Sequence, residues 1–229
     1  MRWLVGEEFE KSLKNLDYLL NTIAVVGGTS KDLEVSIVKA TFPLAKISYF
    51  GIDNPHNDSN FTFLDLNLLN HQQGVFDLVL CSQVIEHVHH LENAFKNLRS
   101  LMDSNNGLIW LNCPASNMPH GSPDYFSAGY SKEYIDQIFQ RNEIQTLGSG
   151  YFGSKRFYFL THALHYWATQ AEHLHPVLRY EFQPGTKLGV INKWRKEILW
   201  RFLSIPFSSK IRTDLNHATE VWALGKVKK

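Results

Sequence analysis

The chain has 229 residues, 44% of them hydrophobic and 13% aromatic, enough to enclose one sizeable core with an appended subdomain. Lysine and arginine number 23 against 22 acids, and a formal charge of +1 provides no overall field for nucleic acid or an anionic membrane. Two cysteines make neither a disulfide framework nor a CxxC clip, no apolar run approaches the ~20 residues that span a bilayer, and the opening MRWLVGEEFEKS has no signal-peptide core, so a cytoplasmic protein is expected.

In chain order, Phe9, Leu13, Leu16 and Leu20 recur at helical spacing and predict an amphipathic helix over 6–21. TIAVVGG reads as a buried strand running into a glycine turn. Thr29 and Asp32 have capping-box spacing and open a second helix that ends at Pro43. KISYFGID and FTFLDLN read as the second and third strands. FDLVLCSQV is the fourth, and its unbroken apolar run suits burial on both faces.

The segment that follows, IEHVHH, packs three histidines and a glutamate into six residues. Val88, Leu91, Phe95, Leu98 and Met102 form the core stripe of a helix, which puts His89, Glu92, Lys96 and Arg99 on another face. His87, His89 and His90 lack the i, i+4 spacing that a helical metal site favours, so no metal is assigned. Glu86 and His87 differ from the others because they stand at the strand-to-helix junction, where α/β sheets place ligands.

After the turn DSNNG, GLIWLNCP is a fifth strand stopped by Pro114. A polar loop, ASNMPHGSPDYFSAGY, leads to a helix from Ser131 with Tyr134, Ile135, Ile138 and Phe139 inward, and EIQTLGSGYFG is a sixth strand. Alternation then breaks. RFYFLTHALHYWAT and KWRKEILWRFLS are aromatic-rich helical segments separated by Pro176, Pro184, Gly185 and Gly189, and HATEVWALGKVKK closes the chain as an alternating strand. His162, His165, His173 and His175 show no metal spacing.

The order of elements, with IAVVGGTSKDLE, YFGID, FTFLDLN, FDLVLCSQVIEHV and GLIWLNCP, resembles the class I S-adenosylmethionine-dependent methyltransferases. The FDLV…EHV pattern is similar to that of many small-molecule members. The resemblance implies an α/β fold, a doubly wound, mostly parallel seven-stranded Rossmann-like sheet with an antiparallel last strand and a helical insertion before it. The core would be 1–156 and 217–229, with 157–216 inserted as a lid or oligomer contact.

It also implies S-adenosylmethionine as cofactor and a site to hold it. Gly27 and Gly28 would permit close backbone approach, with Thr29 beside them. Asp53 would accept the ribose hydroxyls, Asp65 would face the adenine edge, and Gln83 would flank the methionine part. The motif departs from the family at Val25, where an acid is usual, and in its later glycines. A catalytically silent binding or scaffold protein on the same fold is therefore the alternative.

A nicotinamide-dependent dehydrogenase would want G-x-G-x-x-G in the turn, and Gly27-Gly28-Thr29-Ser30-Lys31-Asp32 does not supply it. The Asp/Asn-Pro-Pro-aromatic motif of nucleobase methyltransferases is missing after the fourth strand, where Ser82-Gln83-Val84-Ile85 stands. The expected acceptor is a small molecule or saccharide, at a hydroxyl, as in natural-product or surface-sugar modification. PDYFSAGY looks like a substrate-loop feature of such enzymes, with Ser127 where they often have arginine. His120, Asp124 and Tyr125 in that loop, with His87 across the cleft mouth, are the candidate catalytic groups, histidine being the commonest general base near neutral pH. The basic aromatic stretch 193–203 could lie on a membrane surface, but a lid or a homodimer contact is the favoured role.

Overall fold

A computed structural model describes residues 2–16, 19–69, 74–116, 125–153 and 218–228. The chain divides into two units, Met1–Phe152 with Thr219–Lys229, and Gly153–Ala218. Both aromatic segments of the insertion, its histidines, and His120 and Asp124 lie outside the described residues.

The elements of the first unit are α1 (Arg2–Lys14), β1 (Thr22–Val26), α2 (Leu33–Thr41), β2 (Lys46–Gly51), β3 (Phe61–Phe63), β4 (Leu78–Ser82), α3 (Leu91–Leu101), β5 (Leu108–Pro114), α4 (Lys132–Arg141), β6 (Ile144–Phe152) and β7 (Glu220–Val227). The strands make one seven-stranded sheet in the order β3-β2-β1-β4-β5-β7-β6. β1 pairs in parallel with β2 and β4, β2 with β3, and β4 with β5, whereas β7 runs antiparallel between β5 and β6. This is the doubly wound sheet that the resemblance implies.

The continuous apolar runs of β4 and β5 become the middle of the sheet because both faces are covered. Every residue of β5 is buried. One face packs Val79, Cys81, Ile109 and Leu111 with Phe95 and Leu98 of α3 and Phe139 of α4. On Trp110 the ring of Phe9 approaches to 4.9 Å and that of Trp222 stacks at 5.2 Å. Cys81 and Cys113 are buried free thiols on neighbouring strands, and burial, with added repulsion from Glu86, pushes both well above the usual thiol range.

Several elements differ from their sequence expectations, each for a local reason. The first helix ends at Lys14, and Leu20 is buried beyond it. The third strand keeps only Phe61–Phe63, because the Asp65 carboxylate accepts the Asn67 N–H at 2.8 Å and curls the chain. The helix after β4 begins at Leu91 rather than Val88, since Ile85–His87 form a separate 3₁₀ turn. Val88 is still buried, and His89 and His90 are exposed. Ser131 caps α4, accepting the Tyr134 N–H at 3.1 Å, yet the Tyr134 ring is 39% exposed and stacks on Tyr130.

Candidate functional site

The sheet reverses its winding between β1 and β4, and ligands of open α/β sheets bind at the carboxyl ends of strands flanking such a point. A cavity of about 230 Å³ lies there. Gly27, Gly28, Thr29, Asp53, Asp65 and Gln83 line it, together with His87. All six residues implied for the cofactor by resemblance, contributed by four separate strand ends, thus share one cavity.

Gly27 ends β1 with φ +68°, and its N–H donates to the Phe50 carbonyl at 2.7 Å. A Cβ there would come within 2.5 Å of a Val84 methyl. Gly27→Ala is accordingly expected to cost about 1–2 kcal/mol from the left-handed backbone alone and to displace Val84 in the cavity wall, read as a lower unfolding midpoint together with weaker ligand binding.

The expected capping box is half realised: the acid reaches back to the Thr29 N–H, but Thr29 Oγ1 accepts the Lys31 N–H at 3.4 Å instead of that of Asp32. Asp32 makes no side-chain cap to α2; its Oδ2 accepts the Thr29 N–H at 2.7 Å, while Asp58 Oδ2 accepts the Ser30 N–H at 3.4 Å. Two carboxylates of the chain thus occupy donors that a dinucleotide's pyrophosphate would need at a helix N-terminus, and would repel that anion. The same two acids, after burial itself, raise the phenol pKa of Tyr49 on β2.

Asp53 follows β2, exposed in the cavity wall and uninvolved in the bonds that hold Asp32, Asp58 and Asp65. The loop carrying Asp65 is tied to α3 and the turn before it. Asn67 Oδ1 accepts the backbone N–H groups of His89 at 3.0 Å and His90 at 3.2 Å, and Asn97 Nδ2 donates to the Leu68 carbonyl at 2.7 Å. Asn67 itself lines the cavity, a residue that sequence reasoning passed over although D-L-N is an Asx-type signal.

Gln83 stands at the end of β4 with φ +58°, a sparsely populated conformation for a side-chain-bearing residue. Its N–H donates to the Asn112 carbonyl at 2.8 Å.

Of the four candidate catalytic groups, the structure places His87 and Tyr125. His87 lines the cavity, and its ring meets Tyr125 edge-on at 5.9 Å. Glu86 beside it is fully buried, with Oε1 3.9 Å from His87 Nε2. The Glu86 carbonyl accepts the N–H groups of Phe126 at 2.9 Å and Ser127 at 3.3 Å, which fastens the loop after β5 to the junction after β4. Burial, and then the charge of Glu86, raise the Tyr125 phenol, so near neutral pH it remains a hydroxyl. Among the described residues no group of three His, Cys, Asp or Glu side chains is arranged to hold a metal, and no helix is long and apolar enough to cross a membrane.

No family model matches the sequence, nor does any curated protein. Solved structures do match. The Haemonchus contortus phosphoethanolamine N-methyltransferase 2, in complex with S-adenosylmethionine, is similar at a TM-score of 0.56 and 10% identity, over 99% of this chain and 53% of that one. This chain therefore spans about half the length of that relative. The O-methyltransferase of a Brevibacillus brevis trans-AT PKS multienzyme, with S-adenosylhomocysteine, gives 0.58 and 12%, over 97% and 72%. The [4+2]-cyclase SpnF gives 0.57 and 10%, over 97% and 80%. The chain has the class I S-adenosylmethionine-dependent methyltransferase fold.

Proposed function

We propose that the chain is an S-adenosylmethionine-dependent methyltransferase that acts on a small molecule or saccharide, at a hydroxyl. The observation that carries this reading is the convergence of Gly27, Gly28, Thr29, Asp53, Asp65 and Gln83 on one cavity at the switch point. The residues fit the group. The side-chain-free Gly27 and Gly28 leave the backbone approachable, acids stand beyond two neighbouring strand ends, and the carboxylates at the turn suit a cationic ligand better than a phosphate.

When bound, the cofactor supplies an electrophilic methyl group on a sulfonium. Asp53 would hold the ribose hydroxyls, Asp65 the adenine edge and Gln83 the methionine part. Transfer to oxygen is an in-line displacement in which alignment supplies much of the rate and a base removes the acceptor's proton. His87 is at hand for that proton, with His120 and Asp124 proposed as further contributors. Tyr125, kept a hydroxyl by burial and Glu86, is suited to donate a hydrogen bond to the acceptor rather than to take its proton.

We assign the core to 1–156 and 217–229 and give 157–216 the role of a lid or homodimer contact, with the membrane surface a less favoured partner for 193–203. A cytoplasmic setting suits the two free thiols.

A second reading, a catalytically silent binding or scaffold protein on the same fold, is favoured by one observation: Val25 stands just before the glycine turn, where the family usually has an acid. SpnF illustrates that this fold carries other chemistry. Thermal unfolding with S-adenosylmethionine, S-adenosylhomocysteine, NAD and no ligand separates the readings. A ligand at ~100 times its dissociation constant stabilises by ~2.7 kcal/mol, several degrees for a chain of this size. A shift with the two S-adenosyl compounds alone is expected; no shift with either would favour the silent reading.

A further inference from the structure

A hydrogen-bonded chain runs from the cavity wall through β5 into β7. Asn112 is 3% exposed and Glu220 6%. The Asn112 Nδ2 donates to Glu220 Oε2 and to the Val221 carbonyl, both at 3.1 Å, and Asn112 Oδ1 accepts from Gln83 Nε2 at 2.8 Å. The Val221 carbonyl can only accept, so the Asn112 amide has one permitted orientation, with its NH₂ toward β7 and its oxygen toward Gln83. That orientation in turn requires Gln83 to offer its NH₂ to Asn112. The Gln83 side chain is then left with Oε1, an acceptor, and the second N–H of Nε2, on a residue that lines the cavity.

We propose that Asn112, anchored by Glu220 and the Val221 carbonyl, is a positioning residue that fixes the Gln83 amide so that the cavity presents an acceptor for a ligand's ammonium group. The inference deepens the cofactor reading above and rests on it. An unanchored glutamine could turn either end of its amide to a ligand. The anchored one always turns Oε1 away from Asn112, so an acceptor for a ligand's donor is present whichever ligand enters. The left-handed backbone of Gln83 is held by the same residue, through the Asn112 carbonyl, so backbone and side chain are set from one point on β5.

The test is calorimetric titration of wild type, Asn112→Leu, Gln83→Met and the double variant with S-adenosylhomocysteine and with 5′-methylthioadenosine, which keeps the adenosine but lacks the amino-acid end. Wild type is expected to prefer S-adenosylhomocysteine. Each single variant should lose about tenfold or more of that affinity and none for methylthioadenosine, with the double variant losing no more than either single one. Asn112→Ala, which is smaller, carries the test if leucine at this buried position prevents folding. Unchanged preference in the Asn112 variants, equal loss of both ligands, or additive losses in the double variant would overturn the positioning role while the cofactor reading stands. Wild type that binds neither ligand would overturn both.

Discussion

Replacing Trp110 with alanine will lower the unfolding midpoint by roughly 6–20 °C, the shift that corresponds to a loss of about 3–5 kcal/mol for removal of a fully buried aromatic from a chain of this size. Trp110 sits in β5 with no exposure, and its ring touches Phe9 of α1 on one side and stacks on Trp222 of β7 on another. Its removal opens a cavity that those partners cannot easily fill. Trp222 is itself backed by β6, where a Cβ at Gly150 would lie 2.9 Å from its Nε1, so it has little room to shift. Trp110→Phe should cost far less. The Trp110 Nε1 is buried with no hydrogen-bond partner among the described residues, so phenylalanine relieves an unpaired donor while keeping most of the ring. Scanning calorimetry of the two variants checks both parts. Equal losses would mean that the indole nitrogen finds a partner in the folded chain.

The strands were legible because a sheet covered on both faces requires continuous apolar runs, and LVLC and LIWL can be little else at that length. The glycine turn and the acids after β2 and β3 were legible as a set only through the family resemblance, and the winding of the sheet then brings those separate strand ends to one cavity. Other features followed from contacts that local pattern does not carry. The apolar spacing from Val88 to Met102 continues through the break before α3, so it concealed the 3₁₀ turn at Ile85–His87. Thr29 and Asp32 have the right spacing and the acid's half of the box forms, but the Thr29 hydroxyl accepts the Lys31 N–H and the helix begins only at Leu33. Tyr134 falls on the apolar stripe of α4, yet its stacking on Tyr130 holds it at the edge of the core. Asn112 gave no signal at all, since its partners are 29 and 108 residues away in sequence. Nothing about a glutamine at the end of a strand announces a positive φ.

Asp53→Ala is expected to weaken S-adenosylhomocysteine binding on the order of a hundredfold while leaving the fold intact, two hydrogen bonds to a charged acceptor being lost. The two effects separate because of where the residue stands. Asp53 lies just beyond β2, exposed, outside the hydrogen bonds that shape the glycine turn and the Asp65 loop, and surface substitutions of that kind usually change stability by less than about 0.5 kcal/mol. Asp65 would behave differently, because its carboxylate also holds the Asn67 N–H and with it the loop that meets His89 and His90. Asp65→Ala should therefore lose affinity and stability together, and Asp53→Ala affinity alone. Asp53→Asn, which keeps one acceptor and adds a donor, should fall between wild type and alanine. Calorimetric titration paired with thermal unfolding reads both quantities on one sample. Retained affinity in Asp53→Ala would remove this carboxylate from the binding site and turn the ribose toward the Asp65 side of the cavity. A matching loss of stability would instead mean that Asp53 supports the loop between β2 and β3, and that its effect on binding is indirect.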